Sequence, residues 1–369
     1  MKQIYIFLLS MILILYSCGN QDIIKTEGIL IDNKYSDRFE ILKTTDGYSL
    51  NVLDKSNKDN NNIIYSYNLS YSDNNSIKIP VNKVICLSTT HCAFISQIGQ
   101  TGSIKGISGA EYVYNNEIID LIKKNEIIEV GYDKQIDYEK IISVNPDVVF
   151  VFGIDNSSIA SYNKLNEIGI PVVYIGDFLE RLPLGRTEWI KFFGCFYDKL
   201  DYATGFFDSV ENNYNTLLNT TSENPERPKV LVGLPWKGTW WIPGGNSFFA
   251  NFIRDAGGDY GLNNNTYAES TPHTIEEIFS MSTDIEVWLN PNSVTDRQEI
   301  IQTDERLKNF TPLSNARIFN NNKRLNANGG NDFWESGILS PDIILNDLKM
   351  IFGNEKDIEN KLIYYREVK

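Results

Sequence analysis

The chain has 369 residues, with 34 Lys and Arg against 48 Asp and Glu, and a net charge of -14 at neutral pH. Such an acidic balance argues against nucleic acid or an anionic membrane surface as partner, since both reward basic patches. The length exceeds what one hydrophobic core usually serves, so two domains are expected, and four cysteines are too few for a disulfide framework.

Lys2 precedes an uncharged apolar segment, Ile4 to Tyr16, that closes on Leu15-Tyr16-Ser17-Cys18. The segment is too short and too sharply ended for a spanning helix and resembles a bacterial lipoprotein signal over residues 1–17. Cleavage there leaves Cys18 as the lipid-bearing first residue and places the chain in the cell envelope, anchored by lipid on the periplasmic side. Residues 18–80 are polar and rich in Asn and Ser, with alternating segments Ser49 to Leu53 and Ile63 to Leu69. They read as a tether followed by a β-hairpin or small meander.

At Val81 the pattern changes to α/β. Apolar runs at Val84 to Leu87, Gly102 to Ile107, Val148 to Phe152 and Val172 to Ile175 alternate with helical segments, which predicts one lobe over 81–182. Most telling is the helix Tyr138 to Ser143, the turn Asn145-Pro146-Asp147, then two five-residue apolar runs separated by a helix. Runs of that kind are buried parallel strands. Residues 183–222 form the link, with Glu188 to Thr220 helical throughout. Its stripes Trp189, Phe192, Phe193, Phe196 and Ala203, Phe206, Phe207, Val210, Tyr214 are spaced to bury one face in each lobe. A second α/β lobe over 223–369 contains strands Lys229 to Leu234, Glu286 to Leu289 and Arg317 to Asn320. Its helices run from Ser247 to Ala256, Ile275 to Met281 and Pro341 to Phe352.

Parallel sheets bind ligands beyond the carboxyl ends of their strands. In the first lobe this selects Ser88, Thr89, His91, Tyr112, Tyr132, Gly153 and Asp177. In the second it selects the loop carrying Trp236, Trp240 and Trp241, and the stretch Asn321 to Glu335 with Lys323, Arg324, Asn331 and Trp334. Flat aromatic faces beside amide donors suit a large planar ligand, and the two cations suit negative charge on it; at least one of the tryptophans is expected to pack the interior. His91 and His273 are the only histidines, which disfavours capture of a bare zinc or manganese ion. Cys86, His91 and Cys92 match no structural zinc spacing, so no metal site is expected. Beyond Cys18, only Cys86, Cys92 and Cys195 remain, enough for one bridge at most. Ser88 and His91 invite a hydrolase reading, but no Gly-x-Ser-x-Gly elbow surrounds them and no phosphate-cradling loop occurs. A binding protein without catalysis is the expectation.

Several stretches together carry a family resemblance. They are Lys83 to Ser88; Gly131-Tyr132 with Asp137 to Ile141 and Asn145 to Val149; Leu165 with Ile168 to Val172; Gly257-Gly258-Asp259; and Ile275-Glu276-Glu277. With the export signal, residues 81 to 352 resemble the substrate-binding lipoproteins of ABC importers, in the iron-chelate (siderophore or heme) and vitamin B12 binding family. The resemblance implies two Rossmann-like lobes joined by a long helix, with a metal chelate captured between them and delivered to a membrane permease. It also implies a monomer with no resident cofactor, and acidic residues on each lobe that meet permease arginines; Asp155, Asp296 and Glu299 lie nearest those positions. A ferric siderophore is the leading ligand. Cobalamin or heme by the same mechanism are the alternatives, with Tyr132 in a loop where some heme-binding relatives carry a tyrosine ligand, and an oxyanion such as molybdate is a lesser one. A surface lipoprotein hydrolase is the rival class.

Overall fold

The structure, a computed structural model, describes residues 28–55, 62–73, 75–132, 135–153, 156–220, 227–261, 265–353 and 357–369. The signal segment, Cys18, Asp155 and the side chain of Tyr132 lie outside them.

The chain first builds the expected β-rich extension as a five-stranded sheet, the larger of the two forms expected: β1 (Ile29–Ile31), β2 (Phe39–Thr44), β3 (Gly47–Asp54), β4 (Asn62–Ser70) and β5 (Ile77–Lys78), in that order. Alternation buries Phe39 and Ile41 while Glu40 and Leu42 are only half-buried, the two-residue period of a strand. The polar partners in β2 concealed this strand from a search for apolar runs.

The next sheet contains β6 (Val84–Cys86), β7 (Ile104–Ile107), β8 (Ile128–Glu129), β11 (Val148–Val151) and β12 (Val172–Tyr174), ordered β12-β11-β6-β7-β8 and parallel throughout. Helices α1 (Thr89–Gln97), α2 (Asn116–Lys123), α3 (Tyr138–Val144) and α4 (Asn156–Glu167) make the crossovers, and a small hairpin, β9 (Gly131–Tyr132) with β10 (Gln135–Ile136), precedes α3. Every residue of β6, β11 and β12 is buried, as expected where helices cover both faces. Helix α3 stops because Asn145 turns left-handed, at φ 50°, ahead of Pro146, a geometry Asn tolerates and proline fixes.

The link is three helices, which corrects the expectation of continuous helix: α5 (Pro183–Glu188), α6 (Ile190–Phe196) and α7 (Leu200–Asn219). The break after α6 comes at Asp198, whose φ is 55°. There α6 and α7 cross so closely that a Cβ on Gly194 would lie 2.9 Å from the Cβ of Ala203. The aromatic stripe does its predicted work, with Trp189, Phe192, Phe193 and Phe196 all fully buried.

The last sheet is β13 (Val230–Val232), β16 (Val287–Leu289), β17 (Arg317–Asn320) and β18 (Arg366–Glu367), in that order, parallel except for β18. A separate hairpin pairs β14 (Thr239–Ile242) with β15 (Thr271–Thr274). Helices α8 (Phe248–Asp255), α9 (Ile275–Met281), α10 (Arg297–Thr303), α11 (Thr311–Asn315) and α12 (Pro341–Phe352) complete the lobe. Thr274 and Glu277 cap α9 reciprocally, satisfying two backbone donors at its start.

The first sheet straps the link. Phe39 packs on Trp189 and Phe192, with ring centres 4.8 and 5.6 Å apart, and residues 34–36 cross the helices at buried Glu180 and Glu188. Glu180 accepts hydrogen bonds from the Ser36 hydroxyl and from Trp189 Nε1, yet burial pushes its pKa up from 4.5 to about 7. A raised carboxyl contributes stability that is fully present below its unfolded pKa and lost as pH rises through its folded one. Glu335 is shifted the same way to about 7, while buried His91, lowered to about 4, acts in the opposite sense. The difference between the wild type and Glu180→Gln isolates one group. That substitution is expected to be less damaging at pH 8 than at pH 5 by about 2–3 kcal/mol, read from urea unfolding at the two pH values; an equal effect at both contradicts the assignment.

Candidate ligand-binding cleft

Beyond the carboxyl ends of β13, β16 and β17 lies a cavity of about 630 Å³. Its aromatic wall is Trp241, Trp334 and Phe249, and its polar wall is the amides of Asn290, Asn292, Asn321, Asn322 and Asn331. Among the described residues, none that lines it is ionisable. Strand alternation decides the first tryptophan: in β14 Trp240 points inward and Trp241 outward, 48 % exposed. Trp334, 36 % exposed, sits on a short turn started by Asn331, whose side chain accepts from the amide of Phe333. Asn322 is buried; its Nδ2 donates to the carbonyl of Val294 at 3.0 Å, and its Oδ1 has no partner among the described residues.

The other predicted site residues are placed as follows. Trp240 is a correction: it is fully buried against Trp288 and Phe310, each 5.7 Å between ring centres, and its Nε1 donates to the Val232 carbonyl. Asp177 is also buried, in an ion pair with Arg186 Nε at 3.0 Å. Arg186 in turn lies over the rings of Phe248 and Trp334, at 5.6 and 5.7 Å. This arginine, which the sequence reading missed, joins the end of β12 to the aromatic wall. His91 is enclosed near Phe150 and Phe193, and burial lowers its pKa to about 4, so it is neutral and away from solvent. Lys323 is committed to the carbonyls of Glu359 and Leu362. Arg324 bonds Asp332 at 2.6 Å and lies over Tyr114 and Tyr364. Neither cation lines the amide cavity; Arg324 instead borders a separate pocket with Tyr114, Asn115 and Glu335.

Ser88 caps α1 and exchanges a hydrogen bond with the Thr90 hydroxyl at 2.9 Å, so the Ser88 and His91 pair required by a hydrolase is not assembled. Thr89 opens the same helix, half-buried. Across the cleft, Tyr112 is partly exposed, and Phe152 meets Phe178 at 6.3 Å. Trp236 stands at a hairpin tip, 61 % exposed, beneath the Lys237 ammonium at 4.4 Å. Asp296 caps α10, and Glu299 accepts from the backbone of Thr295. Among the described residues, Cys86, Cys92 and Cys195 are free and buried, and no cluster of His, Cys, Asp and Glu is arranged to hold a metal ion.

Residues 84–325 match the family model described as periplasmic binding protein. The chain belongs to the periplasmic binding protein family. An uncharacterised lipoprotein of Methanocaldococcus jannaschii is 31 % identical over 289 residues, covering 76 % of this chain and 67 % of that relative. Among solved structures, a periplasmic heme-binding protein from Pseudomonas aeruginosa superposes with a TM-score of 0.56 at 13 % identity, over 78 % of this chain and 98 % of that one. A siderophore-binding protein from Vibrio cholerae bound to Fe3+-Desferal gives 0.52 at 13 %, over 73 % and 98 %. At such identities the likeness is one of fold. This family fold explains the placement of the cavity at the strand ends; the sheet formed by residues 29–78 precedes the matched region.

Proposed function

We propose that this periplasmic binding protein is the substrate-binding lipoprotein of an ABC importer and that it captures a metal chelate of low net charge, a corrinoid or an uncharged siderophore, for delivery to a permease. The observation that carries the ligand class is the lining of the strand-end cavity, tryptophan faces and carboxamides without an ionisable side chain. Carboxamides exchange hydrogen bonds with other amides and carbonyls at no cost in charge desolvation, and flat rings cover a planar macrocycle. A strongly anionic catecholate would bring uncompensated charge into this lining. Heme would find no His, Tyr, Cys or Met donor among the described residues that line it. The relatives support the chelate class through the heme-binding and siderophore-binding proteins that share the fold. Lipid attachment at Cys18, and permease contacts through Asp155 and Asp296 or Glu299, complete the proposal.

Calorimetric titration with cobalamin, ferric hydroxamate, ferric catecholate and hemin, repeated at low and high salt, tests the ligand class. Affinity for the bound chelate is expected to change less than about twofold between ~0.05 and ~0.5 M salt, because no charge pair forms to be screened. A steep loss with salt, or preference for the catecholate, rejects it.

A further inference from the structure

The stretch that forms the aromatic wall has a second face. Leu325, Gly329, Asn331 and Trp334 line the cavity, while the residues between and after them are stitched to the first lobe. Asn326 Nδ2 donates to the carbonyls of Glu111 and Val113 at 2.7 and 2.8 Å. Its Oδ1 accepts from the amides of Asn328 and Gly330 at 2.9 and 2.8 Å, so one carboxamide shapes its own loop and ties it across the cleft. Glu335 completes the seam: its two oxygens accept from the amides of Tyr114 and Asn115, each at 2.8 Å. Contact is so close at Gly330 that an added Cβ would lie 2.0 Å from the Tyr112 carbonyl oxygen. Residues 326–335 lie beyond the end of the family match.

We propose that residues 326–335 are a fixed interlobe latch, and that Asn326 and Glu335 are positioning residues which hold the cavity wall against the first lobe before any ligand arrives. The seam consists of hydrogen bonds to backbone groups, two of them accepted by the Glu335 carboxyl, which are the stronger kind when that group is ionised. Its consequence for affinity rests on the chelate-binding reading; its consequence for lobe geometry does not. A latch that preorganises the wall raises the fraction of binding-competent molecules, and apparent affinity falls by the same fraction when it is lost. Glu335 faces Asp332, which is paired with Arg324, and Glu117 lines the same side of the seam.

Spin labels at Lys123→Cys and Lys308→Cys, both exposed positions on opposite lobes, report the interlobe distance of the full-length protein in detergent. The ligand-free wild type is expected to give one narrow distance, broadened by Asn326→Ala with Glu335→Ala. A broad wild-type distribution, or a narrow one in the double variant, overturns the latch. Should the double variant not fold, hydrogen exchange of the wild type decides: the Tyr114 and Asn115 amides are expected to be protected in the absence of ligand, and exchange at the rate of an open loop overturns the proposal. Neither reading requires a chelate, so both stand apart from the import proposal. For a chelate that binds, the double variant should raise Kd about tenfold or more with circular dichroism unchanged, and Glu335→Gln, which keeps one acceptor oxygen, should fall between; an unchanged Kd removes the positioning role.

Discussion

Glu188→Ala is expected to lower the free energy of unfolding by about 3–5 kcal/mol, the range for removing one partner of a buried ion pair. The Glu188 carboxylate accepts from the backbone amides of Lys34, Tyr35 and Ser36, all at 2.9 Å, and from Lys191 Nζ at 2.7 Å. Alanine would leave the Lys191 ammonium enclosed against the face of Phe207, 4.5 Å away, without its carboxylate, and would orphan three amides of the strap. The strap belongs to the sheet that precedes the family match and the carboxylate to the link between lobes. The same variant should therefore loosen that sheet and open residues 34–36 to proteolysis. Urea unfolding measures the first effect; a loss below about 1 kcal/mol would show that the strap is not held by this carboxylate.

Trp240→Ala and Trp241→Ala are expected to part company, although the residues are adjacent. Trp240 is the inward member of the pair, and its removal leaves a large void between Trp288 and Phe310. Deleting a buried Trp costs about 3–5 kcal/mol. Trp241 is half exposed on the cavity wall, so its truncation should change stability by less than about 1 kcal/mol while weakening chelate binding about tenfold or more, as loss of an aromatic anchor does. Chemical denaturation and ligand titration of both variants check this. Comparable stability losses would place Trp241 in the core, and unimpaired binding would take it out of the site.

The buried parallel strands were legible because the signals were local and redundant: Val148 to Phe152 and Val172 to Ile175 are apolar runs bounded by Pro and Gly turns, and tertiary packing had no reason to override them. The strand β15, Thr271 to Thr274, carries no such run and becomes a strand only by pairing with β14 across an intervening helix. Site residues were legible as segments rather than as side chains. The stretch Asn321 to Glu335 does follow a strand, β17, whereas the segment carrying Trp236, Trp240 and Trp241, which reads as a loop, contains strand β14; whether Trp240 or Trp241 faces the cavity depends on strand register, which a turn-rich segment leaves open. Lys323 and Arg324 looked available because nothing local pairs with them; their partners are the Glu359 and Leu362 carbonyls and Asp332. Arg186 and Glu188, set in an aromatic helical stretch, acquire meaning only once the first sheet and both lobes close around them.

We propose above that the neutral, tryptophan-walled cavity of the second lobe captures a metal chelate. Tryptophan fluorescence of the full-length protein in detergent, titrated with cobalamin and ferric hydroxamate alongside Trp241→Ala, tests it most directly. Saturable quenching at submicromolar chelate is expected in the wild type, with binding weakened about tenfold or more in the variant. Saturable binding that the variant leaves intact, or no saturation with any chelate, would contradict it.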